Sequence, residues 1–226
     1  MPPGTVRFAV YPTSDQAIRA AADLLTALSP QTMALAGGST PRDLYHLLAS
    51  EDYRDRVEWN EMDIWWGDER AVPPDHPDSN YGMAKKALLD LVPIVRSEVH
   101  RMPADSADLD AAALAYEETL PDRFDLILLG IGDDGHTASL FPDRPALDET
   151  ERRCVPTVAA NGTRRLTLTY PVLNAARHVL FLVLGEGKRD ALERIRAGRQ
   201  LPAARVRPSF GDVTWVVDEA AYGPRA

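Results

Sequence analysis

Apolar runs that end in glycine-rich loops recur along the chain and alternate with stretches of helical periodicity. The clearest run, Leu126–Leu129, is followed at once by a loop with three glycines, two acids and one histidine. Short apolar runs bounded by turn signals are typical of strands buried on both faces of a parallel sheet. Helical spacing of apolar residues, as between Ala17 and Leu28, separates the runs. The pattern predicts an α/β fold: a single doubly wound, mostly parallel sheet flanked by helices.

The pattern also places the individual elements. Predicted strands are Thr5–Tyr11, Thr32–Ala36, Met62–Trp66, Phe124–Leu129, Arg165–Tyr170, Val179–Leu184 and Val213–Val217. Predicted helices are Ser14–Leu28 with Ser14 as the N-cap, a helix with Pro41 in its first turn and Leu48 near its end, a helix capped by Ser79 or Asn80 and ending near Leu89, Asp108–Leu120, Lys188–Ala197 and a short helical tail. The segments Val72–Pro77 and Pro142–Glu151 are predicted loops.

Composition narrows the class of protein. The chain has 226 residues, 45% of them hydrophobic, which suits one α/β domain spanning residues 1–226. A formal net charge of −9 argues against nucleic acid and anionic membranes as partners. A lone cysteine, Cys154, favours a reducing compartment. With no secretory signal or membrane-length apolar run, we expect a cytoplasmic protein that is a monomer or weak homo-oligomer.

The loop after Leu129 carries a candidate acid–base pair. His136 follows a predicted strand end, where open α/β sheets bind their ligands, and Asp134 is close enough to orient it. A histidine side chain, with an unperturbed pKa of about 6.5, both accepts and returns a proton near neutral pH. The alternative is a structural loop histidine that bonds the backbone. We favour catalysis by His136 with Asp134.

The same loop matches the dinucleotide-binding pattern G-x-G-x-x-G, from Gly130 to Gly135. That site needs a helix opening directly after the loop, but Pro142 follows too closely. Two aspartates would also direct negative charge toward a diphosphate. We therefore interpret Gly132 and Gly135 as residues that shape a sharp loop presenting Asp134 and His136.

A second glycine-rich loop, Gly37-Gly38-Ser39-Thr40, joins a predicted strand to a predicted helix. Small residues let backbone N–H groups approach a ligand, and a helix N-terminus favours an anion. The alternative is a simple capping turn made by Ser39 or Thr40. The loop is not a nucleophile elbow, because that motif requires glycine where Pro41 stands.

Cationic side chains near three predicted element ends are candidates for binding phosphate. Arg70 can contact an oxyanion bidentately, with Asp68 or Glu69 holding it in place, unless the three form a solvated surface cluster. Lys188 follows a glycine at a predicted helix start, and Arg165 begins a strand. The sequence around Lys188 is not a P-loop, since Leu182 stands where the first glycine belongs.

Metal ligation is not predicted. The five histidines are scattered, and no H-E-x-x-H motif or paired cysteines occur.

Taken in order, four segments resemble the 6-phosphogluconolactonase family. They read LAGGSTPRDLY at 35–45, WWGDERAVPPDHPDSNYGMA at 65–84, DLILLGIGDDGHTASLFP at 125–142 and RLTLTYPVLNAARHVLFLVLGEGKRDAL at 165–192. The resemblance implies a doubly wound α/β domain without a cofactor, acting on a small phosphosugar lactone.

Glucosamine-6-phosphate deaminases share that fold and the G-x-D-G-H loop, but typically continue H-I-A-F-N-E-P. Here Phe141 stands at the place of their glutamate and cannot move a proton. Asp68-Glu69-Arg70 likewise stands where deaminases tend to read D-E-Y. Both departures favour the lactonase.

The resemblance therefore implies hydrolysis of 6-phospho-D-glucono-1,5-lactone to 6-phosphogluconate, the second step of the oxidative pentose phosphate pathway. His136 would activate the attacking water, and Asp134 would orient the imidazole or activate the water itself. Arg70, Arg165 and Lys188 would bind the phosphate together with the Gly37–Thr40 loop. The alternatives are an aminosugar-phosphate isomerase/deaminase and a catalytically silent phosphosugar-binding module.

Overall fold

A six-stranded parallel sheet forms the centre of the computed structural model, which describes residues 4–223. Its strands lie in the order β1 (Val6–Tyr11), β9 (Asp212–Asp218), β8 (His178–Val183), β5 (Leu126–Leu129), β2 (Thr32–Leu35) and β3 (Asp63–Trp66). Every neighbouring pair is parallel, which confirms the predicted fold class. The single-domain prediction for residues 1–226 also covers residues 1–3 and 224–226, which lie outside the described residues.

Helices cover both faces of this sheet. On one face lie α1 (Ser14–Leu28), α2 (Ser39–Leu48) and α3 (Asn80–Ala84), which continues as a π-helical segment, Lys85–Leu89. On the other lie α4 (Leu109–Thr119), α5 (Tyr170–Leu173), α6 (Arg189–Arg196) and α7 (Glu219–Tyr222). Within residues 4–223, no helix is both long and apolar enough to cross a membrane.

Alternate residues of each central strand enter opposite hydrophobic cores. Leu126 and Leu128 pack on the α1–α2 side, whereas Ile127 and Leu129 pack on the α4 side. Because successive side chains of a strand point to opposite faces, a strand covered on both sides must be apolar throughout. This explains the uninterrupted apolar run in β5.

A second, three-stranded antiparallel sheet corrects the prediction of a single sheet. It consists of β4 (Asp68–Arg70), β7 (Arg164–Leu168) and β6 (Cys154–Val158), with β7 in the middle. The predicted strand at Arg165–Tyr170 is therefore confirmed only as far as Leu168 and was assigned to the wrong sheet, and Tyr170 begins α5. Gly67 joins the two sheets, since its N–H donates to Leu35 of β2 and its carbonyl accepts from Leu168 of β7.

Local capping departs from the prediction at α1. The N-cap is Thr13, whose hydroxyl accepts from the N–H of Gln16 at 3.3 Å, and Ser14 is already helical. The Ser14 hydroxyl instead donates to Asp218 of β9 at 2.6 Å. At α3 the prediction is confirmed, because Ser79 accepts from the N–H of Gly82 at 3.0 Å.

The direction in which successive strands are added reverses between β2 and β5. From β2 the chain passes outward to the edge strand β3, and β5 then pairs with the opposite side of β2. The connections leaving β2 and β5 therefore run over opposite faces of the sheet. In open α/β sheets such a reversal opens a crevice at the carboxyl ends of the two strands.

Asp125 ties β2 to β5 at the end of the sheet away from that crevice. One carboxylate oxygen accepts from the N–H groups of Gln31 and Thr32 and from the Thr32 hydroxyl, at 3.0–3.1 Å.

We predict that Asp125→Ala lowers the free energy of unfolding by about 2–3 kcal/mol, since hydrogen bonds to a charged group are lost together. Urea unfolding measures this, with Asp122→Ala, an exposed residue in the same loop, as the control. Equal stability of the two variants would contradict the prediction.

Candidate active site

The crevice holds a cavity of about 240 Å³ at the carboxyl ends of β2 and β5. Loops from both sheets form its walls. Its lining residues include Gly37, Gly38, Asp68, Arg70, Gly130–Gly132, His136–Ala138, Arg165 and Lys188. The predicted histidine and the predicted cations thus share one pocket.

His136 and Asp134 form a hydrogen-bonded pair at this cavity. The imidazole Nδ1 lies 2.6 Å from Oδ1 of Asp134, which also accepts from the backbone N–H of His136 at 3.0 Å. Partial burial raises the pKa of Asp134, but these bonds outweigh it and hold the pKa below its usual value. An ionised carboxylate can only accept, so Nδ1 carries a proton, and in the neutral imidazole the lone pair is on Nε2.

Gly132 is required because the imidazole lies against its backbone. A Cβ atom there would come within 2.0 Å of Nδ1 of His136. Loop bonds hold this approach: the N–H of Gly132 donates to the His136 carbonyl, and that of Gly135 to the Gly132 carbonyl. Gly135 has a φ of +85°, in the left-handed region that favours glycine. The next helical element is a 3₁₀ turn at Pro145–Asp148, so the loop does not lead directly into the helix that a dinucleotide site requires.

The two glycines before α2 serve different physical needs. A Cβ on Gly37 would lie 1.7 Å from Oδ1 of Asn80, and Gly38 has a φ of +102°. Gly38 is the N-cap of α2 and makes no side-chain cap, so neither Ser39 nor Thr40 caps the helix. Ser39 and Thr40 line an adjoining cavity of about 140 Å³. This smaller cavity shares Gly37, Gly38 and Lys188 with the larger one.

Glu69 holds the backbone around Arg70 and does not pair with its guanidinium. Its buried carboxylate accepts from the N–H groups of Arg70, Asn80 and Tyr81 at 2.7–2.8 Å, and from the Ser79 hydroxyl. Burial raises the pKa of Glu69 although these bonds lower it. The guanidinium of Arg70 donates instead to the Asp78 carbonyl at 2.6 Å.

Asp68 lies beside Arg165 and not beside the guanidinium of Arg70. Its Oδ2 is 3.6 Å from Nη1 of Arg165, which faces Arg70 across the β4–β7 pairing. Burial lowers the pKa of Arg165; Asp68 opposes this effect, and the charge of Arg70 adds to it. The Nε atoms of Arg70 and Arg165 are both buried without a hydrogen-bond partner in the described chain. Two neighbouring guanidinium groups with unused donors form a suitable environment for an oxyanion.

Lys188 follows β8 at the end of a 3₁₀ turn, Glu186–Lys188, and directly precedes α6. Its ammonium lies 2.7 Å from the carboxylate of Asp133, which is largely exposed. The two aspartates of the histidine loop therefore have different partners: Asp134 contacts the imidazole and Asp133 the lysine.

Three residues of this region were missed as site residues by sequence reasoning. Asn80 connects the Gly37 bend to β4, because its amide donates to the Asp68 carbonyl at 2.7 Å. Ser139 donates to the Asp68 carboxylate at 2.6 Å. Phe141 packs against the His136 ring, with 4.6 Å between ring centroids. The sequence marked Asn80 only as a possible helix cap and Phe141 only as a departure from the deaminases, and Ser139 was a hydroxyl close to the histidine.

One group of side chains in residues 4–223 is close enough to hold a metal ion. Ligand atoms of Asp63, Glu98 and His100 lie within 4.8 Å of one another. The fold thus brings one of the scattered histidines toward two acids, which the sequence pattern did not indicate. His100 and Asp63 already satisfy each other at 2.8 Å, and the group lies at the amino end of β3, away from the cavity.

Comparison with known proteins places this site in a family. The profile described as glucosamine-6-phosphate isomerases/6-phosphogluconolactonase matches residues 10–215. A 6-phosphogluconolactonase of Synechocystis sp. is 44% identical over 204 residues, covering 84% of this chain and 82% of that protein. The chain belongs to the glucosamine-6-phosphate isomerase/6-phosphogluconolactonase family.

Solved structures agree with membership of this family. The 6-phosphogluconolactonase from Trypanosoma cruzi superposes with a TM-score of 0.84 at 29% identity, covering 97% of each chain. A monomeric glucosamine-6-phosphate deaminase gives a TM-score of 0.83 at 20% identity, covering 95% of this chain and 98% of that one. The second similarity shows the fold alone. Both family activities therefore occur on this fold, and the side chains of the cavity must distinguish them.

Gly132 allows a direct test of the imidazole's position. We predict that Gly132→Ala lowers the activity of the site by at least about 100-fold, because the added Cβ displaces the imidazole by the order of an ångström. The matched control is Gly187→Ala, since a Cβ at Gly187 meets no atom within 4 Å. Turnover and the circular dichroism spectrum are measured for both variants. Full activity of folded Gly132→Ala would contradict the described packing.

Proposed function

We propose that this chain hydrolyses 6-phospho-D-glucono-1,5-lactone to 6-phosphogluconate. The observation that carries the proposal is the shared cavity, in which a carboxylate-oriented imidazole lies together with Arg70, Arg165 and Lys188. A sugar lactone with a distant phosphate needs both a base and an anion site. The names and identities of the relatives support the same reaction.

His136 acts as the general base in this proposal. Its Nε2 takes a proton from water while the water oxygen forms a bond to the lactone carbonyl carbon, C1. The tetrahedral intermediate then breaks the bond between C1 and the ring oxygen, and the imidazolium returns the proton to that oxygen. Asp134 stabilises the imidazolium between the two steps. General acid–base catalysis of this kind contributes about 10²–10⁴-fold in rate.

The histidine loop uses much of its own backbone, which limits where the oxyanion is stabilised. The N–H groups of Gly132, Gly135 and His136 all donate within the loop. These three N–H groups are therefore not available to the developing oxyanion. This step needs well-placed donors near C1, because charge develops on the carbonyl oxygen.

The phosphate binds, in our proposal, at the cationic side of the cavity. Arg70 and Arg165 both line the cavity, and Lys188 adds an ammonium at the boundary with the smaller cavity. The Gly37–Gly38 bend and the first turn of α2, which includes Ser39 and Thr40, add backbone donors and a favourable helix dipole. These groups concentrate positive charge locally in a chain of net charge −9.

Two alternative functions each predict a different assay result. An aminosugar-phosphate isomerase/deaminase would release ammonia from glucosamine-6-phosphate, and a silent binding module would bind 6-phosphogluconate without accelerating lactone hydrolysis above its spontaneous rate. Phe141 argues against the first, because the ring offers no proton-transfer group beside His136. The His136–Asp134 bond argues against the second. The cytoplasmic location and the oligomeric state remain predictions.

His136 gives the central mutational test. We predict that His136→Ala lowers kcat by at least about 100-fold, as expected for the loss of a general base. Binding of 6-phosphogluconate, measured by calorimetry, stays within about threefold, since the cations are untouched. The control is His46→Ala, an exposed histidine of α2. Unchanged turnover in His136→Ala would remove this residue from the chemistry.

Lys188 gives a test of phosphate binding. We predict that Lys188→Ala raises KM about tenfold with a smaller change in kcat, because one charge-assisted hydrogen bond to phosphate is lost. The matched variant Asp133→Asn removes the lysine's ion-pair partner and keeps the cation, so KM stays equal or falls. Steady-state kinetics on both variants decide the matter. Equal KM values for Lys188→Ala and the unmodified protein would make Lys188 a surface residue.

A further inference from the structure

Phe141 contacts both the histidine and an arginine of the candidate site. Its ring centroid lies 4.6 Å from that of His136, with 48° between the ring planes, and 5.5 Å from the guanidinium carbon of Arg165. The residue is only 7% exposed and is not among those lining the cavity. It therefore acts on the site through its two neighbours and not by touching substrate.

The turn that carries Phe141 is held by hydrogen bonds at its start. The hydroxyl of Thr137 donates to the Gly130 carbonyl at 2.9 Å, and the N–H of Leu140 donates to the Thr137 carbonyl at 2.9 Å. Between them Ala138 has a φ of +46°, a left-handed conformation that is unfavourable for a residue with a Cβ. Such a backbone persists only where its surroundings determine it, so this turn is rigidly specified.

Ser139 anchors the same turn to the second sheet. Its hydroxyl donates to Oδ2 of Asp68 in β4 at 2.6 Å, and its N–H donates to the Thr167 hydroxyl in β7 at 3.1 Å. Ser139 is fully buried, so no water competes for these bonds. Since β4 and β7 carry Arg70 and Arg165, the turn connects the histidine loop to the strands that carry the arginines.

We infer that Phe141 is a positioning residue for His136, held in place through Ser139. The Asp134 bond and the Gly132 backbone hold the Nδ1 edge of the imidazole but leave its Nε2 edge free to swing. Packing against Phe141 removes this freedom and so fixes the direction of Nε2. The inference rests on the proposed function in taking Nε2 as the base. The reaction rate depends steeply on the position of the base, since displacing a catalytic group by about 1 Å lowers the rate up to about 100-fold.

The kinetic test compares two replacements of Phe141 with a matched control. We expect Phe141→Leu, which removes the ring, to lower kcat about 10- to 100-fold and to change KM less than about threefold, because Arg165 keeps Asp68. Phe141→Tyr, which keeps the ring, restores kcat to within about threefold. The control Phe124→Leu alters another buried phenylalanine, packed on Trp65 at 5.4 Å, and leaves both constants unchanged.

A second variant covers the case in which Phe141→Leu does not fold. Ser139→Ala keeps both rings but removes the bond to Asp68, and we expect kcat to fall about fivefold without a matching rise in KM. Wild-type kcat in folded Phe141→Leu, or in Ser139→Ala where the leucine variant is unfolded, overturns the inference. An equal loss in Phe141→Tyr and Phe141→Leu overturns it as well.

A spectroscopic readout separates this inference from the proposed function. In the NMR spectrum, the ring protons of His136, assigned by their loss in His136→Ala, carry a ring-current shift from Phe141. We expect Phe141→Leu to abolish this shift and to increase the ring's motion in carbon relaxation, while Phe141→Tyr keeps both. If the unmodified protein does not hydrolyse the lactone, the proposed function fails. Unchanged His136 ring motion in Phe141→Leu then overturns the positioning role independently.

Discussion

The reversal of strand order between β2 and β5 is the constraint on which the rest of the site depends. Because the connections leaving these strands run over opposite faces of the sheet, their first residues cannot pack on each other, and a crevice stays open between them. The Gly37–Gly38 bend forms one wall and the histidine loop the other. The second sheet closes the crevice by presenting β4 and β7 beside it. The proposed base and the proposed anion site thus face each other in one crevice, although their residues come from distant segments of the chain.

Electrostatics in this crevice work against the charge of the whole molecule. Arg70 and Arg165 lie side by side although like charges repel, and burial adds a cost for the second. Asp68 offsets part of that cost, and Asn80 and Ser139 satisfy the carboxylate of Asp68 in turn. Among residues 4–223, the Nε atoms of both arginines have no hydrogen-bond partner. In the proposed function, this local positive charge is what lets an acidic chain bind an anion.

The sequence predicted the parts of the site that lie on one segment. Local pattern predicted the glycine loop after β5, the acid two residues before the histidine, and the loop after β2. These features could be predicted because strand ends and turns are encoded locally. The family resemblance also implied that Arg70, Arg165 and Lys188 serve one phosphate, and all three line one cavity. Local pattern was not sufficient at α1, because the Ser14 hydroxyl donates to Asp218 of β9 and Thr13 is the N-cap instead.

What the sequence did not predict depends on contacts between distant segments. Asp68 and Ser139 are 71 positions apart, and no local signal pairs them. The second sheet escaped prediction because β4 has three residues and β6 contains Pro156, so neither shows strand periodicity. The roles of Glu69 and Asp68 were also not separable from sequence. Both are acids that precede Arg70 in the sequence. Only the fold shows that Glu69 accepts from backbone N–H groups and that Asp68 faces Arg165.

The most direct test of the central claim is a crystal structure of this protein with 6-phosphogluconate bound. The account predicts that the C1 carboxylate lies at the His136 end of the cavity, while the phosphate contacts Arg70, Arg165 or Lys188 beside the Gly37–Gly38 bend. A phosphate at His136, or a sugar bound outside this cavity, would contradict it.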